Sequence, residues 1–414
     1  MEGVSRRGLL GGAAAIATLV SKASSAKPSL HRSGPDVVVV GAGVFGAWIA
    51  RTLQQHGAKV TLLDAWGAAH SRASSGGETR LIRTEYGADP LYTAWAWHSL
   101  GEWKALSGHH ESRIFHETGA LYLYPKETTL NDESVALQRR LGVPIETLSP
   151  SDLVRRWPQI DFDGIGLGVL QPTMGVLMAR RAVQLVVSDF VKAGGTFEQV
   201  AVDPPTAVSP KLKAVSGSGR QFRADHFIFA CGPWLPKLFA DVGSRIVPIR
   251  KDVFFFTPKA GDRRFCPPAM PAWVDAGSPD LQYGFPDLEG RGFKIALDGP
   301  GERVDPDVVD RRVSDSALAD VRSYLKRRFP DLATAPLSEQ RVCQYENTDD
   351  RNFLIDRHPR LDNVWIAGGG SGHGFKHGPA VGRYVWELAF NDRTPERRFT
   401  FQAHRPYEPN RGNG

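Results

Sequence analysis

The segment from Asp36 to Asp64 constrains the fold more than any other part of the 414-residue chain. Asp36-Val37-Val38-Val39-Val40 is short, β-branched and without polar alternation, the pattern of a parallel strand buried on both faces. Gly41-Ala42-Gly43-Val44-Phe45-Gly46 follows at once, Val44 to His56 has helical spacing, and Gly57 offers a C-terminal cap. Lys59 to Leu63 reads as a second strand, ending in Asp64 and Ala65. The three glycines of the loop do different things. Gly41 permits a tight turn, Gly43 leaves the backbone open to a phosphate, and Gly46 lets helix and strand close together. Asp64 stands where it would accept a hydrogen bond from a ribose hydroxyl. The unit predicts a dinucleotide site in an α/β fold, and its spacing alone does not separate FAD from NAD.

Further strands of the same sheet are expected at His226 to Ala230, running into Cys231-Gly232-Pro233-Trp234, and at Asn363 to Ala367, running into Gly368-Gly369-Gly370. Arg180 to Lys192 reads as a helix. Between Ile246 and Phe329 the pattern changes: Phe254-Phe255-Phe256, Leu281 to Phe285 and Phe293 to Ala296 read as antiparallel strands with Pro/Gly turns, and Ser316 to Phe329 as an amphipathic helix. The predicted architecture is therefore a discontinuous Rossmann-like dinucleotide-binding domain (36–115, 166–245 and 336–392). It is interleaved with a mostly antiparallel α+β substrate domain (116–165 and 246–335), and 393–414 forms a tail.

The net charge of +6 is modest, and part of it sits in the leader and around Arg393, Arg397, Arg398 and Arg405. That distribution fits a solvated surface and gives no reason to expect nucleic acid as a partner. Three cysteines (Cys231, Cys266 and Cys343) are too few for a disulfide framework, and neither His109-His110 nor His373 with His377 has the companions a metal site needs; no metal is expected. Arg6-Arg7, the apolar run from Leu9 to Val20, and Ser24-Ser25-Ala26 form the pattern of a twin-arginine signal covering 1–26. The run is too short to span a bilayer, so the expectation is an exported protein without stable membrane insertion.

Several separate motifs then fall in one order. They are Ser75-Gly76-Gly77-Glu78-Thr79-Arg80-Leu81-Ile82-Arg83, Tyr86-Gly87, Arg156-Trp157-Pro158, Gly232-Pro233-Trp234, Tyr283-Gly284-Phe285-Pro286, Arg341-Val342-Cys343-Gln344-Tyr345, Phe353-Leu354-Ile355-Asp356 with His358-Pro359, and Ser371-Gly372-His373-Gly374-Phe375-Lys376. From Asp36 to about Asn391 the chain resembles the monomeric sarcosine oxidase and N-methyltryptophan oxidase family. The resemblance implies FAD, linked through sulfur at Cys343, for which a thiolate is the competent nucleophile. It implies further cofactor contacts from Ser74, Ser75, Thr79, Arg80, Cys231, Gly232, Trp234, Tyr345, Gly370, Gly372, His373, Gly374, Phe375 and Lys376.

The same resemblance makes Arg83 and Lys376 the pair that grips a substrate carboxylate, because two cations facing one pocket are costly until an anion arrives. Arg80 is implied beside the flavin ring, Lys294 as a fixed positive charge that activates oxygen, and Tyr283 as a neighbour in that pocket. Three positions depart from the family: Asp298 and Gly76 replace histidines, and Ala88 replaces a pocket glutamate. These changes point away from sarcosine toward a larger N-substituted amino acid, with Asp298 free to receive a cationic group.

The expected activity is oxidation of an N-methyl or cyclic secondary amino acid by hydride transfer to flavin N5. Imine hydrolysis and reduction of O2 to hydrogen peroxide follow, in a monomer whose partners are a small amine and O2. The alternatives are a flavin-dependent amine dehydrogenase with another acceptor and a non-catalytic flavoprotein that binds an imino acid.

Overall fold

The computed structural model describes residues 34–125, 129–278, 281–299 and 301–407, without the side chains of 129 and 130. The expected signal segment, 1–26, and the end of the tail lie outside the described residues.

The strand Asp36–Val40 occupies the middle of a six-stranded sheet, between His226–Phe229 and Lys59–Asp64. Val364–Gly368 and Thr196–Gln199 continue the sheet in parallel on the two sides, and Leu354–Arg357 closes one edge in the antiparallel sense. A central strand is covered on both faces, which explains the unbroken run of valines, all of them buried. The helix Val44–Gln55 follows the glycine loop and packs against Ala179–Lys192 and Gly378–Phe390. Gly57 ends the first helix with φ of 89°, a left-handed conformation glycine adopts without strain.

A second sheet has eight strands in the order Leu337–Asn347, Val247–Phe256, Phe293–Leu297, Gln282–Phe285, Ala272–Asp275, Ala120–Tyr124, Leu167–Gln171 and Glu146–Leu148. All its pairings are antiparallel except that between Ala272–Asp275 and Ala120–Tyr124. Phe254, Phe256, Phe265, Trp273, Phe293 and Phe329 fill one core against it, helped by the helix Asp315–Arg328.

Leu167–Gln171 and Leu337–Asn347, both expected in the nucleotide-binding segments, hydrogen-bond into this second sheet. The chain leaves and re-enters each layer within a few residues, and strand periodicity does not say which sheet a strand will join. The segment read as a tail also packs back: Phe399, Phe401 and His404 are buried, and Arg398 pairs with Asp89.

Candidate active site

The turn that starts the site is built by exclusion of side chains. Gly41 has φ of 102°, and a Cβ there would lie 2.4 Å from the Ala230 carbonyl oxygen. A Cβ on Gly46 would lie 1.8 Å from the Gly41 oxygen, so helix and strand meet only because it is glycine. Gly43 differs: its missing Cβ would meet nothing closer than Ser75 Oγ at 3.5 Å, which leaves that backbone facing open space. The space is a cavity of about 400 Å³ at the carboxyl ends of the parallel strands, lined by Gly41, Gly43, Asp64, Cys231, Trp234 and Glu346 among others.

Asp64 is buried and its two oxygens are already engaged: Oδ2 accepts from the Ala42 N–H at 2.7 Å, Oδ1 from the Trp66 and Gly67 N–H groups at 2.9 Å. It therefore braces the phosphate loop as well as facing the cavity. Ser75 Oγ accepts from the Val44 N–H at 3.0 Å, holding the loop before the second motif against the helix start. Trp66 and Trp234 meet at 4.9 Å between ring centroids and line the Asp64 end.

A second cavity, of about 580 Å³, shares a wall with the first: Arg80, Tyr345, Gly372 and Phe375 line both. Arg83 and Lys376 both line the second cavity and approach one ring, with the Arg83 guanidinium 4.3 Å and the Lys376 ammonium 5.3 Å from the Tyr86 centroid. Lys376 Nζ donates to Tyr86 Oη at 2.9 Å and to the His373 carbonyl at 2.8 Å, and Trp103 Nε1–H holds the Lys376 carbonyl at 2.9 Å. Burial, reinforced by Arg83 and opposed by Asp298, pushes the Lys376 pKa well below its ordinary value. Burial also opposes the Arg83 charge, but Tyr122, Tyr86 and Glu85 outweigh it and hold its pKa above the ordinary value. The site thus carries one firm cation and one whose proton is weakly held until an anion enters.

Asp298 reaches the same cavity. Its Oδ2 accepts from Arg351 Nη2 at 3.2 Å, while Oδ1 is buried without a hydrogen-bond partner. Tyr283 and Tyr345 join through their hydroxyls at 3.1 Å, and burial pushes the Tyr283 pKa up to about 12.

Behind the shared wall, Arg80 Nη2 lies 3.4 Å from Cys343 Sγ, and Arg80 also donates to the Ser74 and Thr79 carbonyls. Cys343 is partly buried and lines neither cavity, whereas Arg80 lines both. Lys294 is buried, donating to Thr79 O and Oγ1, each at 2.9 Å, with Phe285 4.5 Å from its ammonium. Burial and then Arg80 push its pKa well below the ordinary range, with Cys343 and Glu78 opposing them.

Tyr86, His377, Arg351 and Glu85 join the site without any sequence signal that assigns them a role in it. Tyr86 Oη contacts Lys376 Nζ, His377 Nε2 at 2.7 Å and His373 Nδ1 at 3.2 Å, which makes it the junction of the clamp. Its motif is visible in the sequence; its role depends on residues almost 300 positions away. Glu85 supplies the cavity with a glutamate although Ala88 is exposed: it accepts from Gln138 at 2.8 Å and from Ser134 at 2.5 Å.

A family model described as FAD dependent oxidoreductase matches residues 36–388. The chain belongs to that family. This FAD-dependent oxidoreductase is 31% identical to the monomeric sarcosine oxidase of Bacillus sp. (strain B-0618), covering 90% of this chain and 96% of that relative. It is 28% identical to the N-methyl-L-tryptophan oxidase of Salmonella arizonae, over 87% of this chain and 95% of the relative. The crystal structure of L-proline dehydrogenase from P. horikoshii shares the fold, with a TM-score of 0.78 at 22% identity, covering 89% of this chain and 97% of that one. The residues present fit FAD. The glycine at position 43 opens the backbone to the first cavity, the helix beginning at Val44 presents its N-terminus there, and Glu346, which lines the same space, carries a buried oxygen without a partner.

Proposed function

We propose that this oxidoreductase oxidises an N-methyl or cyclic secondary amino acid, and that the product imine hydrolyses in water. Bound FAD supplies the acceptor for the hydride lost from the carbon next to nitrogen, and O2 takes the electrons onward as hydrogen peroxide. The observation that carries the reading is the convergence of Arg83 and Lys376 on a cavity that shares Arg80, Tyr345, Gly372 and Phe375 with the cofactor cavity. The names of the curated relatives support the same class of amine substrate.

The role of each side chain follows from its surroundings. Arg83 and Lys376 hold the carboxylate, which repays the cost of their shared burial and secures the Lys376 proton. Asp298 Oδ1 faces the amine end and accepts its hydrogen bond. The volume of about 580 Å³ and the aromatic lining from Tyr86, Tyr122, Tyr124 and Tyr283 suit a substituent larger than methyl. Lys294, bonded to Thr79 beside the shared-wall residue Arg80, supplies the positive charge that favours oxygen reduction, and Cys343, with Arg80 against its sulfur, attaches the flavin.

Export of a monomer by the twin-arginine route is part of the proposal and rests on Arg6-Arg7 and the apolar run behind them. Retention in the cytoplasm after replacing both arginines by lysine supports it, and unchanged export contradicts it. The catalytic reading is tested by measuring peroxide release with a panel of N-methyl and cyclic secondary amino acids. Rapid flavin reduction without peroxide would assign the enzyme another electron acceptor.

A further inference from the structure

Glu346 lies one residue beyond Tyr345 on the strand Leu337–Asn347, at the point where that strand passes over the ends of two strands of the nucleotide-binding sheet. Three glycines make room for it. A Cβ on Gly232 would sit 3.5 Å and one on Gly368 3.6 Å from Oε2, and one on Gly370 would sit 3.1 Å from Oε1. Oε1 accepts from the Gly370 N–H at 3.3 Å. Oε2 is buried, has no hydrogen-bond partner, and belongs to a residue lining the cofactor cavity. Burial and the N–H groups of Gly369 and Gly370 set its charge state, and no lysine, arginine or histidine among the described residues contributes.

A buried carboxylate with one free oxygen and no cation is costly, and an anionic pyrophosphate in the same cavity makes it more so. A carboxylic acid has neither problem, because its O–H turns the free oxygen from an unmatched acceptor into a donor. We propose that Glu346 is a cofactor-binding residue that keeps its proton on Oε2 and donates it to an acceptor oxygen of the bound dinucleotide. The inference rests on the assignment of this cavity to FAD. It makes cofactor binding a proton-linked event, since the ionised residue would present a negative charge where the protonated one presents a donor.

Burial raises the Glu346 pKa to about 8 against the backbone hydrogen bonds that lower it, so the residue changes state near neutrality in the free protein. The titratable groups facing it across the cavity are Cys231 from the end of the strand His226–Phe229, Asp64 and His70 from the end of Lys59–Asp64 and the loop after it, Arg80 from the strand Thr79–Ile82, Lys237 from the short helix Leu235–Leu238, Asp307 from the loop before the helix Asp315–Arg328, and Tyr345 on its own strand. Burial pushes Cys231 well above and His70 below their ordinary values, while Tyr345 and Arg80 are both raised. Against burial, hydrogen bonds between Lys237 and Asp307 raise the first and lower the second, so these shifted groups leave the interval from pH 7 to 9 to Glu346.

The test uses full-length Cys343→Ser protein, in which the sulfur cannot retain the flavin, with and without Glu346→Gln. The dissociation constant for added FAD is read by flavin fluorescence at pH 7, 8 and 9. With Glu346 present, affinity falls about tenfold between pH 7 and 9, and in the Glu346→Gln protein it stays level. Parallel pH profiles in the two proteins overturn the inference. Should the double variant fail to fold, calorimetry of the Cys343→Ser protein at pH 9, in buffers of different ionisation heat, counts protons directly. Uptake of about one proton per FAD supports the assignment, and no uptake overturns it. Failure of the Cys343→Ser protein to bind FAD at any pH would instead contradict the cofactor assignment itself.

Discussion

The Lys376 ammonium donates to the Tyr86 hydroxyl at 2.9 Å, and this bond joins two segments of chain that meet at the substrate cavity. Tyr86 also receives the Arg83 guanidinium on its ring face, so one aromatic side chain sets the spacing of both cations. Lys376→Met removes one charge of the clamp. A truncated buried charge pair costs about 2–5 kcal/mol, so kcat/KM for a carboxylate-bearing amine should fall by about 30-fold to several thousandfold. The flavin absorption spectrum should survive. An unchanged kcat/KM would move substrate recognition to Asp298 and a cationic amine.

The Lys294 proton is held by Thr79, away from both cavities. Lys294→Met should spare anaerobic reduction by the amine and slow reoxidation in air on the order of a hundredfold, the scale for one lost electrostatic donor in a dry site. Stopped-flow measurement of the two half-reactions separates them, and equal slowing of both would assign Lys294 to structure.

Much of this site is legible in the sequence. The segment Asp36 to Asp64 is local, so its glycine spacing and strand-helix-strand pattern carry nearly all the information its geometry needs. Arg83 and Lys376 are reached only through the order of motifs, since nothing in their own neighbourhoods says that they converge. Tyr86, Arg351 and Glu346 stay hidden because their roles come from contacts across the fold: Arg351 matters through Asp298, and Glu346 through glycines 232, 368 and 370. Lys294 is reached through the resemblance, but its lowered pKa follows from burial, which sequence does not record.

Covalent attachment of the flavin is a prediction from Cys343 within the matched Arg341 to Tyr345 motif. Acid-precipitated protein should stay yellow and carry the flavin mass on the peptide containing Cys343, while Cys343→Ser should release FAD into the supernatant. A colourless wild-type pellet would show that the cofactor is held without a bond.

Glu346 also gives the apoprotein a signed pH dependence. Its folded pKa of about 8 stands above the ordinary 4.5, so its contribution to stability is complete below pH 4.5 and is lost as pH rises through 8. Urea melts of wild-type and Glu346→Gln apoprotein at pH 5, 7 and 9 should therefore show wild type losing ground steadily across that range. Parallel stabilities would mean that the carboxyl is ionised at no cost in the folded chain.

The most direct measurement is the rate of anaerobic flavin bleaching by paired substrates, each N-methyl amino acid set against the amine that lacks its carboxylate. Rapid reduction by at least one N-methyl or cyclic secondary amino acid is expected. The second-order rate for its decarboxylated partner should be lower by at least about 30-fold, reflecting about 2 kcal/mol from the Arg83 and Lys376 clamp. Reduction by both members of a pair at equal rates, or by no amine at all, would contradict amine oxidation through a carboxylate clamp.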